Sequence, residues 1–137
     1  MPDAPTPGGH AWDAAELDRI GAADELELAS RRPDGTFRPY VTMWVVRLGD
    51  HLYVRSAGGP GRPWYRHALA SETGRIRAGG TEAHVGFARS DGTAEADIDA
   101  AYHGKYDRYG AHIVGHVVGP DAHNVTIRLV PTRPEPS

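Results

Sequence analysis

The sequence predicts a mostly β, α+β domain: a small six-stranded antiparallel barrel carrying a few helices. Three observations lead there. Six short segments carry strand patterns, most of them are joined by hairpins, and helical patterns intervene; together these fit a small barrel better than a doubly wound sheet. The 137 residues suffice for one domain able to bury a core without metal or disulfide support.

"WDAAELDRIGAAD" reads as an opening helix. Asp13 caps it with Glu16 three residues on, Leu17 and Ile20 share a face, and Gly21 ends it. "ELELAS" alternates as a strand, and "RRPDGTFRP" is a connector with a Pro-Asp-Gly turn. "YVTMWVVRL" is rich in β-branched and aromatic residues, and the Gly49-Asp50 turn folds it onto "HLYVRS" as a hairpin. Pro63 suits the first turn of a short helix, "PWYRHALAS". "GRIRA", Gly79-Gly80 and "TEAHVGFARS" form a second hairpin. "DGTAEADIDAAYHGKYDRYG" is a second long helix starting near Asp91 or Thr93, with Ile98, Tyr102, Tyr106 and Tyr109 on one stripe that packs on the barrel. "HNVTIRLVPT" supplies the last strand. Residues 1–10 read as a disordered tail, 11–131 as the barrel domain and 132–137 as a flexible tail.

Composition narrows the chemistry. Without cysteine there is no disulfide, thiolate nucleophile or cysteine-ligated metal. No apolar run is long enough for a membrane span, and the N-terminus lacks a basic-then-apolar signal pattern, so a cytoplasmic location is expected. The net charge of −3 argues against general nucleic-acid binding. It hides an asymmetry: residues 31–77 hold nine arginines against Asp34, Asp50 and Glu72. That patch is either a solvated basic face or a surface for one small anion.

The stretch "SAGGPGRPWYRHAL", residues 56–69, makes the second reading concrete. Gly58, Gly59 and Gly61 let backbone amides converge on a ligand, and Arg62 precedes a helix N-terminus that favours anions. Arg55 and Ser56 end the preceding strand, and Arg66 follows one helical turn later. Trp64 and Tyr65 are core anchors, ligand platforms, or both. The loop matches neither the Walker nor the dinucleotide pattern. His112 and His116 have metal-ligand spacing, but Gly110, Gly115, Gly119 and Pro120 argue against a stable helix there, and no metal is expected.

At "DHLYVRSAGGPGRPWYRHALASETGRIRAGG" the chain resembles the flavin- and deazaflavin-binding split-barrel proteins, related to pyridoxamine-phosphate oxidase, and among them the deazaflavin-dependent nitroreductases. Trp64-Tyr65 match that pattern; Pro63 falls one place late and His67 stands where Asn is usual. Over nearly its whole length, including "ELDRIGAADELELASRRPDGT" and "AAYHGKYDRYG", it is similar to the bacterial family called domain of unknown function 2255. The resemblance implies a six-stranded split barrel, a homodimer, and an FMN or deazaflavin cofactor in a groove near the subunit interface. It places the cofactor phosphate among Arg55, Ser56, Arg62 and Arg66, with Gly58 and Gly59 giving amides and Trp44, Trp64 and Tyr65 bordering the ring. Tyr65, His67 and Tyr106 are the candidates for a proton-handling side chain. The implied function is oxidation or reduction of a small organic substrate. The alternatives are a cofactor-free enzyme or binding protein using the same groove, and a purely structural dimerisation module.

Overall fold

A computed structural model describes residues 11–90 and 92–132. The expected tail 1–10, Asp91 and residues 133–137 lie outside the described residues. Helix α1 (Ala14–Ala22) opens the fold with the expected capping box, and α2 spans Pro63–Ser71, with Pro63 in its first turn. Helix α3 covers Glu95–Tyr106 and is preceded by Ala94, without a side-chain cap. A 3₁₀ turn (Asp107–Tyr109) and two single-turn helices, α4 (Ala111–Val114) and α5 (Pro120–His123), follow. The glycines of 110–123 therefore limit the helices to one turn each rather than abolish them.

Among the described residues there are seven strands rather than the expected six: β1 (Leu26–Ser30), β2 (Val41–Met43), β3 (Val46–Leu48), β4 (His51–Arg55), β5 (Thr73–Ala78), β6 (Thr81–Arg89) and β7 (Thr126–Pro131). The segment expected as one strand, 40–48, breaks at Trp44-Val45, where the Trp44 ring and the Val45 backbone turn to α3 while the Val45 side chain stays in the barrel interior. Tyr106 Oη accepts a hydrogen bond from the Val45 N–H at 3.2 Å, and Trp44 stacks on the Tyr106 ring. All six pairings are antiparallel, in the order β2-β1-β5-β6-β7-β4-β3. The two edge strands are thus joined by only two residues, Trp44 and Val45. Three Cα steps reach roughly 11 Å, whereas seven flat strands about 4.8 Å apart would hold the edges nearly three times farther from each other. The sheet has to roll up, and the seam of the partial barrel lies at Trp44-Val45.

Strand alternation sorts the core into two clusters. Leu52 and Val54 of β4 face the barrel interior with Leu26, Leu28, Ile76, Val85 and Ile127. Tyr53, on the other face, joins Val46, Ile98, Tyr102 and Tyr106 beneath α3. The tyrosine stripe of α3 is thus buried through Tyr106, while Tyr109 is 42% exposed. Thr132, expected in the tail, is tied to the sheet: its N–H donates to His84 O at 3.0 Å. Among the described residues no helix is long and apolar enough to cross a membrane.

The β5–β6 turn gives a direct test of backbone placement. Gly79 (φ +58°) and Gly80 (φ +81°) both sit in the left-handed region. A Cβ on Gly79 would come within 2.3 Å of Arg19 O, whereas one on Gly80 meets nothing within 4 Å. Urea titration should show Gly80→Ala losing about 1 kcal/mol from backbone strain alone, and Gly79→Ala losing clearly more, because α1 must also move.

Candidate functional site

The glycine-rich loop after β4 closes on itself. Ser56 Oγ donates to Gly59 O at 2.6 Å, and Gly59 N–H donates back to Ser56 O at 3.1 Å. Gly59 sits at φ +87°, a conformation that glycine adopts without cost. Gly58 serves a different purpose. A Cβ there would lie 1.7 Å from Arg62 Nε, so the missing side chain is what lets Arg62 fold back over the loop. Arg62 makes no ion pair with any described residue.

Above this loop opens a cavity of about 540 Å³, with Trp44, Trp64, Arg62, Ile113 and His116 in its wall. That volume falls within the range of small-molecule sites. The Trp44 wall is braced from behind. Its indole stacks on Tyr106 with centroids 4.0 Å apart and planes 4° from parallel, and Tyr109 follows at 5.7 Å. Tyr106 Oη donates to Asp24 O at 2.7 Å, and burial pushes its pKa above the ordinary tyrosine value. Lys105 Nζ donates to Val45 O at 2.7 Å, and burial lowers its pKa to about 8.

Of the residues expected around a cofactor, Trp44, Arg55, Gly58, Arg62 and Trp64 line this cavity. Ser56 and Gly59 lie in the loop beneath it, and Arg66 is exposed on α2 outside the lining. Arg55 requires a correction. It is 2% exposed, and its guanidinium is fully engaged inside the protein. Nε donates to Thr126 Oγ1 (2.9 Å), Nη1 to Asp99 Oδ1 (2.5 Å) and Val117 O (2.7 Å), and Nη2 to Glu95 Oε1 (2.8 Å) and Glu95 O (3.3 Å). An arginine has five N–H donors, so none is left for a phosphate. The cause is strand alternation: Arg55 shares the α3-facing side of β4 with Tyr53, and α3 presents Glu95 and Asp99 one turn apart.

The three expected proton handlers also lie elsewhere. Tyr65 is 2% exposed in the core and donates to Asn124 O at 3.2 Å. Tyr106 stands behind Trp44, and His67 faces a neighbouring cleft beyond Trp64. Conversely, Thr42, Met43, Ala57 and Val117 complete the cavity and were not foreseen. His116 was read only as half of a metal pair; its ring meets His112 edge-on at 5.4 Å. No local pattern announces it, because burial of Val114 and Val117 under α3 is what brings the 110–118 segment to the cavity.

Residues 16–129 match the family described as "uncharacterized protein conserved in bacteria (DUF2255)". The chain belongs to this family. No curated protein matches it. Among solved structures, this DUF2255 protein is similar to an FAD-binding protein of Mesorhizobium loti (17% identity, TM-score 0.58, covering 90% of this chain and 92% of that one). It is also similar to the heme storage protein HutZ of Vibrio cholerae (13%, 0.59, 88% and 91%). A conserved hypothetical protein of Mycobacterium tuberculosis matches comparably (13%, 0.58, 90% and 83%). At these identities the likeness is one of fold, and it agrees with the split-barrel relationship expected from the sequence.

Proposed function

We propose that this DUF2255 protein binds a phosphorylated, planar cofactor of the flavin or deazaflavin type between Trp44 and Trp64, and acts as an oxidoreductase on a small organic molecule. The observation that carries this reading is the cavity itself: two indoles, and a guanidinium without an ion pair among the described residues, in one wall system of ligand size. The fold it shares with the FAD-binding protein of Mesorhizobium loti supports the same reading. When bound, such a ring supplies the hydride chemistry itself, leaving the protein to bind and orient it. Trp44, backed by Tyr106, offers a fixed apolar face; Arg62 offers the charge for the phosphate. Half-exposed Ile113 at the cavity rim is the kind of surface a second copy would cover, in line with a homodimer near the site.

A second reading follows from Arg55. With its donors engaged internally, Arg62 is the cavity's one cation free of an ion pair among the described residues, an arrangement that also suits a cofactor-free protein binding an aromatic metabolite of lower charge. A thermal-shift and tryptophan-quenching screen with FMN, deazaflavin and haem separates the two. The cofactor reading expects a rise of several degrees and saturable quenching with one of the flavin-type compounds. Colourless protein that ignores all of them overturns it.

A further inference from the structure

Beyond Trp64 lies a second, strongly basic pocket of about 400 Å³, with Arg31, Arg32, Arg38 and His67 in its wall and no carboxylate among its lining residues. We propose that this pocket is a phosphate site, taking the phosphate group of a cofactor or substrate that lies along the groove it shares with Trp64.

The arginines are oriented without being neutralised. Arg31 Nη1 donates to Gly35 O at 2.9 Å, with its guanidinium over the Phe37 ring at 4.5 Å. Arg32 Nη1 donates to Phe37 O at 2.9 Å. These acceptors, and Thr36 Oγ1 at 3.3 Å from Arg32 Nη1, are uncharged, so both cations are positioned without an ion pair among the described residues, although Arg32 lends some of its field to Asp34. Arg38 Nε is buried and has no hydrogen-bond partner among the described residues. The nearest acid of this connector, Asp34, is turned onto Thr36, accepting from its N–H at 3.0 Å and its hydroxyl at 2.6 Å. The C-terminal end of α2 also borders the pocket through Ala70 and Ser71. A helix end carries about half a negative charge, which three guanidinium groups outweigh.

His67 reports the resulting field. Burial first, and then the charges of Arg38 and Arg66, hold its pKa below the ordinary histidine value. The pocket also neighbours the aromatic cavity through an intervening cleft. Arg38 and His67 line both the basic pocket and a smaller cleft, and that cleft reaches Trp64, which in turn lines the aromatic cavity. The arginines suit a doubly charged tetrahedral anion, for which their planar forks offer paired donors. This site does not depend on what occupies the aromatic cavity.

The test is an NMR titration of the His67 ring in the full chain, assigned with His67→Gln, with and without inorganic phosphate at constant ionic strength. An anion beside the imidazole favours its charged form, so phosphate should move the His67 titration upward by about one unit. Arg32→Gln/Arg38→Gln should abolish that response, and Arg62→Ala should leave it intact. A titration unmoved by phosphate in the wild-type protein overturns the proposal, as does a response that survives the double substitution. Should the double variant fail to fold, the wild-type titration decides alone. Competition between FMN and phosphate for the response would place the cofactor's phosphate in this pocket and overturn its assignment to Arg62; independent responses assign the pocket to a second phosphorylated molecule.

Discussion

Replacing Arg55 by Met is expected to lower the unfolding free energy by about 3–5 kcal/mol, the cost of leaving buried charges without their partner. The Arg55 side chain is wholly buried, and the side chains of Glu95 and Asp99 are 8% and 23% exposed. Around them the network is complete: Thr126 Oγ1 donates to Glu95 Oε1 at 2.8 Å, Ser90 Oγ to Glu95 Oε2 at 2.5 Å, and His123 Nε2 lies 2.9 Å from Asp99 Oδ2. It ties β4, α3, α5 and β7 together, so losing its centre should reduce cooperativity as well as stability. Urea denaturation measures the change. The triple variant Arg55→Met/Glu95→Gln/Asp99→Asn should recover part of the loss, because the stranded charges are then gone. A single substitution that leaves stability within 1 kcal/mol, the effect of an ordinary surface change, sinks this account.

The sign of the pH dependence sharpens that test. Burial by itself raises the pKa of Glu95, but hydrogen bonds from Ser90, Thr126 and Arg55 outweigh it, and the net shift is downward. Asp99 behaves the same way: burial raises it, and Arg55, His123 and the Gly119 amide pull it lower still. Groups depressed in the folded state contribute stability that is present above their unfolded values, near 4, and lost as pH falls through the folded ones. The wild-type protein should therefore weaken steadily below about pH 4. In Arg55→Met the carboxyls are buried without their cation and their pKa values should rise. Its stability gap from the wild type should narrow on acidification. A gap that stays constant from neutral pH down to pH 3 would mean that the carboxylates are not coupled to Arg55.

Arg55 also shows where sequence reasoning stopped. The capping box at Asp13 and Glu16, the limits of α2 and both hairpins are local features, set by residues within a few positions of each other. They were legible for that reason. The face toward which Arg55 points is local too, since it alternates with Tyr53; what it meets there is Glu95 and Asp99, 40 and 44 residues on. The charge imbalance between 31–77 and the rest was visible, but part of it is an internal ion network rather than an open anion surface. The break at Trp44-Val45 was equally non-local, being imposed by Tyr106 from 61 residues away. For the candidate site, Gly58, Arg62 and Trp64 were legible because they lie within one loop and the first turn of α2, whereas Trp44, a whole hairpin upstream, was placed at the ring only by the resemblance. His116 and the basic pocket needed the fold to assemble them.

Arg62→Ala is expected to weaken binding of FMN tenfold or more while leaving riboflavin, which lacks the phosphate, nearly unaffected. A charge-assisted hydrogen bond contributes about 1.5–3 kcal/mol, and each 1.4 kcal/mol is a decade in affinity. Arg55 cannot substitute for it, since every donor it has is engaged. Gly58→Ala offers an independent route to the same result. Its Cβ would occupy the position 1.7 Å from Arg62 Nε, so the arginine must swing off the loop. The obstruction is the end of a flexible side chain, so unliganded stability should change by no more than about 0.5 kcal/mol. Gly59→Ala provides the contrast: its Cβ meets nothing within 4 Å, but its φ of +87° strains any other residue. That variant should lose stability by about 1–2 kcal/mol and keep Arg62 in place. Calorimetric titration of the three variants with FMN and riboflavin separates charge from backbone. Equal losses for FMN and riboflavin in Arg62→Ala, or no loss for either, would show that the arginine faces no phosphate and would leave the aromatic walls as the whole of the binding site.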